Sequence, residues 1–448
     1  MTHDRHPPFQ QRSSTRQFLL YHAELSGPKV ITGKIATLPE DALTKKFPDL
    51  KNGLAFVEST LTILEAHLNF SALAIRLKID TQGPHADQPS NLETVRIAVA
   101  KTIETISQSQ ESYWGVLDDM TFGLFLPGRE ISHCEQVARR IHQSLENVPA
   151  AEAIVGIAIY PTINFSRDQI MANACKAIDH AAFFGPGSTV FFDAVTLNIS
   201  GDQLYKKGDI VNAIKEFKTG LMLDPSNVNL HNSLGVCYAV MGENDIAAEA
   251  FEAARWLDSS DVMAPYNLGL LQLVKGDSKK ALTFFLEAQA VDDAVYEVNF
   301  QLGRIFFDEG NLSKAMLHFN KAVGINAQSG AAHRYLGKCH EKRNDFDTAI
   351  EAYRSAVKEN PNDAESLSAL GHLFSREEKD LEIARVFCEQ SVQLSPANGQ
   401  YRLRLGKLYI KSNHLTEALH EFQEAERLGQ KAAEHIKAVK KALKAKPN

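Results

Sequence analysis

The sequence predicts an α/β N-terminal domain, a sandwich with a central sheet and helices, followed by an all-α solenoid of seven helix pairs. Three observations point there. From about residue 194, small and aromatic residues recur with a period of 34. Before that point, apolar runs alternate between strand and helix periodicity. The chain is 44% hydrophobic and 23% charged, the balance of an ordinary folded protein. Its 448 residues fit about three domains.

Residues 1–16 read as a disordered tail and 17–193 as the α/β domain. Phe18–Glu24 alternates apolar and polar and predicts a strand. Gly53–Leu68 follows as a helix, Ala72–Ile79 as a strand and Gly83–Ser90 as a polar loop. Asn91–Ile106 is a second helix, and Tyr113–Leu126 holds two short strands around a turn. A helix at Ser132–Leu145, a strand at Ala153–Tyr160, a helix at Arg167–Ala182 and a short strand at Thr189–Phe192 complete the order.

The repeats run over 194–432 as units 194–227, 228–261, 262–295, 296–329, 330–363, 364–398 and 399–432. Residues 433–448 form a basic capping helix and tail. Glycines stand at Gly201, Gly235, Gly269, Gly303, Gly337, Gly371 and Gly406. Alanines follow at Ala213, Ala247, Ala281, Ala315, Ala349, Ala384 and Ala418. The aromatic position holds Phe217, Phe251, Phe285, Phe319, Tyr353 and Phe422, with Cys388 in the sixth unit. Small residues suit the close approach of two helices, and the ring is expected to fill the space between one unit and the next. Gly208, Gly242, Gly276, Gly310, Asn344 and Asn413 mark turns that need a left-handed residue. No linker is expected, since Asp193–Ile199 contains no Gly, Pro or low-complexity run.

This frame resembles the tetratricopeptide repeat (TPR) family. The resemblance implies a protein or peptide partner lying along the first helices, at the fifth, ninth, twelfth and thirteenth positions of each unit. The candidate groove is Tyr266, Leu270, Leu273, Val274, Phe300, Arg304, Phe307, Arg334, Lys338 and Lys342. It runs from apolar to basic, so the partner is expected to be acidic at one end. Reversing Arg334 and Lys338 to Glu is expected to abolish binding and to leave the fold nearly unchanged.

In the first domain, Asp118-Asp119-Met120-Thr121-Phe122, followed by Leu124–Gly128, resembles the signature hairpin of GGDEF domains, which make cyclic di-GMP from two GTP molecules. Leu77–Asp80, Ile154–Pro161 and Ala174–Ile178 resemble further segments of that family in the same order. The family's chemistry needs two hairpin glycines and acidic metal ligands. Here Asp118 and Asp119 replace the glycines, Met120 and Thr121 the acids, and Lys78 the leading acid of the first strand. Only Asp80 remains nearby. Ser109–Ser112 stands where the inhibitory Arg-x-x-Asp motif would be. The resemblance thus implies a catalytically dead domain without catalytic residues, metal or cofactor.

Other classes are disfavoured. The net charge of −7 argues against a nucleic-acid partner. No apolar run approaches the ~18 residues of a membrane helix. The N-terminal stretch is polar where a secretory signal would be apolar. The five cysteines include no C-x-x-C pair, and a cytoplasmic setting is the simplest expectation. The expected function is a protein–protein adaptor or scaffold in bacterial signalling. The alternative is a nucleotide-sensing (GTP or cyclic di-GMP) or residual cyclase domain with TPR output.

Overall fold

A computed structural model describes residues 42–79, 92–128, 130–146, 148, 151–377 and 380–445. The tail expected at 1–16, the strand at Phe18–Glu24, Asp80 and the loop Gly83–Ser90 lie outside the described residues. The chain divides into two compact units, Met1–Leu271 and Gln272–Asn448.

The first unit opens with α1 (Ala42–Lys46), α2 (Gly53–Leu64), β1 (Phe70–Ile79) and α3 (Leu92–Ser109). The hairpin of β2 (Tyr113–Asp118) and β3 (Thr121–Pro127) follows, then α4 (Ile131–Leu145) and β4 (Ala151–Tyr160). A 3-10 turn at Arg167–Gln169 leads into α5 (Ile170–Ala181), and β5 (Thr189–Phe191) closes the sheet. The helix expected to reach Leu68 stops at Leu64, because the His67 N–H turns back to the Leu64 carbonyl (2.9 Å) and the chain enters β1.

The five strands lie in the order β2-β3-β1-β4-β5. β1 runs antiparallel to both β3 and β4, while β5 is parallel to β4. A central strand covered on both faces should be apolar on both, and β1 is. Leu73, Ile75 and Leu77 pack under α3 and α4, among Val99, Ile103, Val137 and Ile141. Phe70, Ala72 and Ala74 pack on the other face, among Phe56 of α2 and Ala174 and Ile178 of α5. Gly156 of β4 sits under α5 so closely that a Cβ there would fall 2.1 Å from the Ala174 carbonyl oxygen.

Helix pairs follow without a linker. The first unit holds α6 (Ala194–Lys206) with α7 (Ile210–Leu223) and α8 (Val228–Val240) with α9 (Asn244–Leu257). α10 (Met263–Val274) carries the chain into the second unit. There α11 (Ser278–Val291) precedes the pairs α12 (Tyr296–Asp308) with α13 (Leu312–Ile325) and α14 (Gly330–Lys342) with α15 (Phe346–Glu359). The pairs α16 (Ala364–Arg376) with α17 (Leu381–Leu394) and α18 (Gly399–Lys411) with α19 (Leu415–Arg427) come next. α20 (Ala433–Ala445) ends the array, burying Ile436 and Val439 beside Phe422.

The small-residue frame has a direct cause. A Cβ at Gly235, Gly303 or Gly406 would meet the ring of Phe251, Phe319 or Phe422 at 2.5, 2.6 and 2.8 Å. Each ring therefore closes on the glycine of its own unit. Phe319 in addition stacks on Tyr335 of the next unit (5.0 Å between centroids). In the sixth unit Cys388 takes the ring's place against Gly371. The turns between paired helices have positive φ at Gly208, Gly242, Gly276, Gly310, Asn344 and Asn413. Asp209, Asn227, Asp277, Asn311, Ser329, Asp363 and Asp380 each accept a backbone N–H three residues on, capping the helix that follows.

Candidate functional site: the first-helix faces

The hairpin comes first. Asp118 and Asp119 are exposed at its turn, and Met120 is half-buried against the core under α3 and α4. Asp118 Oδ1 accepts the Met120 N–H (2.8 Å), and the Met120 carbonyl accepts the Leu77 N–H (2.7 Å). Thr121 and Phe122 are buried. Lys78 stands exposed on β1. The tip is thus a turn closed by its own carboxylate and tied to β1. Among the described residues, no group of three His, Cys, Asp or Glu side chains is placed to hold a metal.

The junction with the helical pairs is polar and short. Asp193 caps α6, accepting from the Thr196 N–H (2.7 Å) and hydroxyl (2.9 Å). His180 of α5 lies 3.1 Å from the same hydroxyl. Lys176 of α5 donates to both oxygens of Glu216 on α7 (2.7 and 2.8 Å). Arg76 of β1 pairs with Asp179 (3.2 Å), which also accepts from Gln203 of α6 (3.3 Å). Burial would raise the Asp193 carboxyl, but bonds from His180 and Thr196 outweigh it and hold its pKa below the ordinary value.

The ten groove candidates divide sharply. In the first unit Tyr266 and Leu270 are only 3% and 6% exposed, so they are core rather than open surface. Apolar residues around the whole circumference of α10 forced that outcome. In the second unit Leu273 is half-buried and Val274 exposed. Leu273 lines a cavity of about 220 Å³ with Gln301, Arg304 and Ile305. Arg304 donates to Gln301 Oε1 (3.2 Å), and its Nε is buried without an acceptor.

Phe300 and Phe307 on α12 and Tyr335 on α14 meet as a half-buried aromatic cluster. Tyr335 meets both phenylalanines edge-on at 5.6 Å. Lys342 Nζ lies 4.1 Å above the Phe307 ring and Lys338 Nζ 4.8 Å above Tyr335, cation–π distances.

Two cations of the expected basic stripe are paired within the chain. Arg334 pairs with Asp363 (3.0 Å) and Glu365 (3.3 Å), and Lys338 pairs with Glu365 (2.6 Å). Asp363 is also the cap of α16 and is 5% exposed. Two neighbouring cations on one helical face repel each other, and here Asp363 and Glu365 already relieve that repulsion within the chain. Arg334 is built into the fold, and its reversal cannot be neutral to stability. The frame positions also passed over Arg404 on α18, whose Nη1 donates to Ser368 Oγ (3.1 Å). The run Tyr401–Lys411 carries four cations, of which the frame positions pick out Lys407 and Lys411 but not Arg402 or Arg404.

Comparison with known proteins places the repeats. Residues 201–242 match a TPR repeat family model, and 238–295 and 306–373 match tetratricopeptide repeat models. The chain thus carries tetratricopeptide repeats, in a helical solenoid over its C-terminal part beside a small mixed sheet. Proteins of this kind bind protein or peptide partners. No curated protein matches the chain. Among solved structures it is similar to the anaphase-promoting complex hetero-tetramer Cut9–Hcn1, with 21% identity over 48% of this chain and 43% of that one, TM-score 0.41. It is also similar to pilF of Pseudomonas aeruginosa, with 20% identity, 47% and 95% coverage and a TM-score of 0.44. The TPR protein YrrB matches at 22% identity, 43% and 99% coverage and a TM-score of 0.38. The chain thus spans less than half the length of the Cut9–Hcn1 chain it matches. Among the described residues, no helix is long and apolar enough to cross a membrane.

Proposed function

We propose that this protein is a non-catalytic scaffold or adaptor, and that it holds a partner segment along the first-helix faces of its second unit. The observation that carries this reading is the aromatic cluster of Phe300, Phe307 and Tyr335. Phe300 and Tyr335 also pack on the frame ring Phe319, yet all three rings of the cluster are only half-buried, with Lys338 on the face of Tyr335 and Lys342 on that of Phe307. Aromatic anchors edged by cations are the kind of surface that dominates binding energy at protein interfaces. The test is capture of partners from lysate of the source organism. The double variant Phe307→Ser/Lys342→Glu should lose specific partners while still unfolding in one cooperative transition, at a midpoint lowered only by the ring contacts it removes. An unchanged set of partners would contradict the reading.

The sheet domain is, in the same reading, a degenerate relative of the GGDEF domain in a bacterial signalling protein. The position of the signature segment on the β2–β3 hairpin supports this. The self-closed turn at Asp118 supports loss of the cyclase reaction, because the carboxylates occupy the place the resemblance reserves for glycines. Incubation with GTP and magnesium should yield no cyclic di-GMP. Synthesis that Asp80→Ala abolishes would overturn it.

A further inference from the structure

We propose that the first-helix face of α16 and α18 is a docking surface for a carboxylate-rich protein segment, held by Arg404, Lys407 and Lys411. This rests on the scaffold reading and moves the acidic end of the partner away from α14.

Charge accounting separates the two places. On α14, Arg334 and Lys338 are closed by Asp363 and Glu365. On α18, Arg404 donates to a serine hydroxyl and Lys411 Nζ to the Ser375 carbonyl (2.6 Å). Lys407 is exposed, and among the described residues none of the three has an ion-pair partner. The nearby acids are held by other groups. Glu389 accepts from the Tyr409 hydroxyl (2.9 Å) and faces Arg385 (3.6 Å), Glu421 pairs with Arg402 (2.9 Å), and Glu341 accepts from the Tyr353 hydroxyl (2.8 Å).

Across from the three cations α16 presents Ser368, His372 and Ser375, while its acid Glu365 is closed by Arg334 and Lys338. Burial first, and then the field of Arg404, holds the His372 imidazole below its ordinary pKa; Glu341 opposes this, and Lys407 and Arg376 add smaller contributions in the lowering direction. A carboxylate arriving there would meet that same field, with Glu365 of α16 already taken by Arg334 and Lys338. Residues 404, 407 and 411 follow the i, i+3, i+7 spacing of one helical stripe. The stripe is about 10 Å long at 1.5 Å per residue. Acidic side chains at alternate positions of an extended segment are spaced about 7 Å apart and can engage more than one of these cations. A single phosphate spans less of the stripe. Each carboxylate would also relieve cation–cation repulsion along α18 and gain charge-assisted hydrogen bonds.

The test uses the full-length protein and fluorescence anisotropy with a labelled ten-residue peptide of alternating Glu and Ala. A Gln-for-Glu analogue and a phosphoserine analogue serve as comparisons. The Glu peptide should bind best and weaken as salt rises. Arg404→Glu/Lys407→Glu should weaken it roughly tenfold, a change of about 1.4 kcal/mol. Arg404→Gln/Lys407→Gln should weaken it less, and it guards against misfolding of the reversed variant. Lys358→Glu, exposed on α15, should leave binding unchanged. Equal binding of the Gln peptide, or an equal loss with Lys358→Glu, would overturn the proposal. Tighter binding of the phosphoserine peptide would overturn it in favour of a phosphate site. Captured partners that survive the α18 reversal but not Phe307→Ser/Lys342→Glu would also overturn it while leaving the scaffold reading standing. Peptide binding that α18 controls, with a captured set indifferent to every one of these variants, would instead overturn the scaffold reading.

Discussion

Arg334 on α14 is held in the fold by an ion pair to Asp363 at 3.0 Å. Its partner Asp363 caps α16 and is almost fully enclosed, so removing the cation strands a buried carboxylate. Arg334→Glu should cost about 3 kcal/mol of unfolding free energy, read as a lower denaturant midpoint at unchanged slope. A midpoint equal to wild type would mean that the pair contributes nothing. Gly303 lies directly against the ring of Phe319. Its added Cβ would sit 2.6 Å from the Phe319 ring, and that ring is boxed in by Tyr335 and Phe300. Gly303→Ala should therefore cost about 1–3 kcal/mol through overpacking. The same substitution at Gly324, where no neighbouring atom lies within 4 Å of the new Cβ, should be neutral or mildly stabilising in a thermal melt.

Elements were legible in the sequence where local chemistry alone decides them. The turn residues Gly276 and Asn344, and caps such as Asn311, are read from one or two letters because φ > 0 or an orphan N–H demands a particular residue type. Asn311→Ala should accordingly destabilise α13 by about 1 kcal/mol, while Asn311→Asp should be tolerated, as a urea melt would show. What escaped the sequence was pairing between elements. Asp363 and Glu365 lie nearly a full repeat beyond Arg334, and frame counting says which face a residue takes but not what it meets across the gap. The burial of Tyr266 and Leu270 was half-legible. An apolar circumference forecasts enclosure, yet the frame positions named the same residues as open groove. In the sheet domain, order and type of the elements from α2 to β5 followed the apolar pattern, with ends displaced by a few residues where a turn such as Leu64–His67 intervenes, while the short helix α1 (Ala42–Lys46) went unread.

Across the molecule, two kinds of titrating group set the response to acid. Burial lowers the pKa of His142, His318 and His372, so the folded chain keeps them neutral. The unfolded chain protonates them first, and their share of stability is complete above about pH 6.5 and lost as pH falls below it. Asp209, Asp224 and Asp277 are held below the ordinary carboxylate value by hydrogen bonds that the carboxylates accept. Their share is present above about pH 4 and lost as pH falls through the folded value. The urea midpoint should thus drop in two stages between pH 7.5 and pH 3, and His318→Gln should flatten the upper stage. A midpoint that rises between pH 7.5 and 5.5 would contradict the sign. The polar junction of α5 with α6 and α7 predicts that native protein resists proteolytic nicking at residues 190–200.

On this reading the first-helix faces of the second unit hold a protein partner. Cross-linking of lysines in cells of the source organism, followed by mass spectrometry, tests it most directly. Intermolecular cross-links should concentrate on Lys338, Lys342, Lys407 and Lys411 of α14 and α18. Cross-links confined instead to the second helices, at Lys314, Lys321 and Lys358, would place the partner on the opposite face and contradict the account.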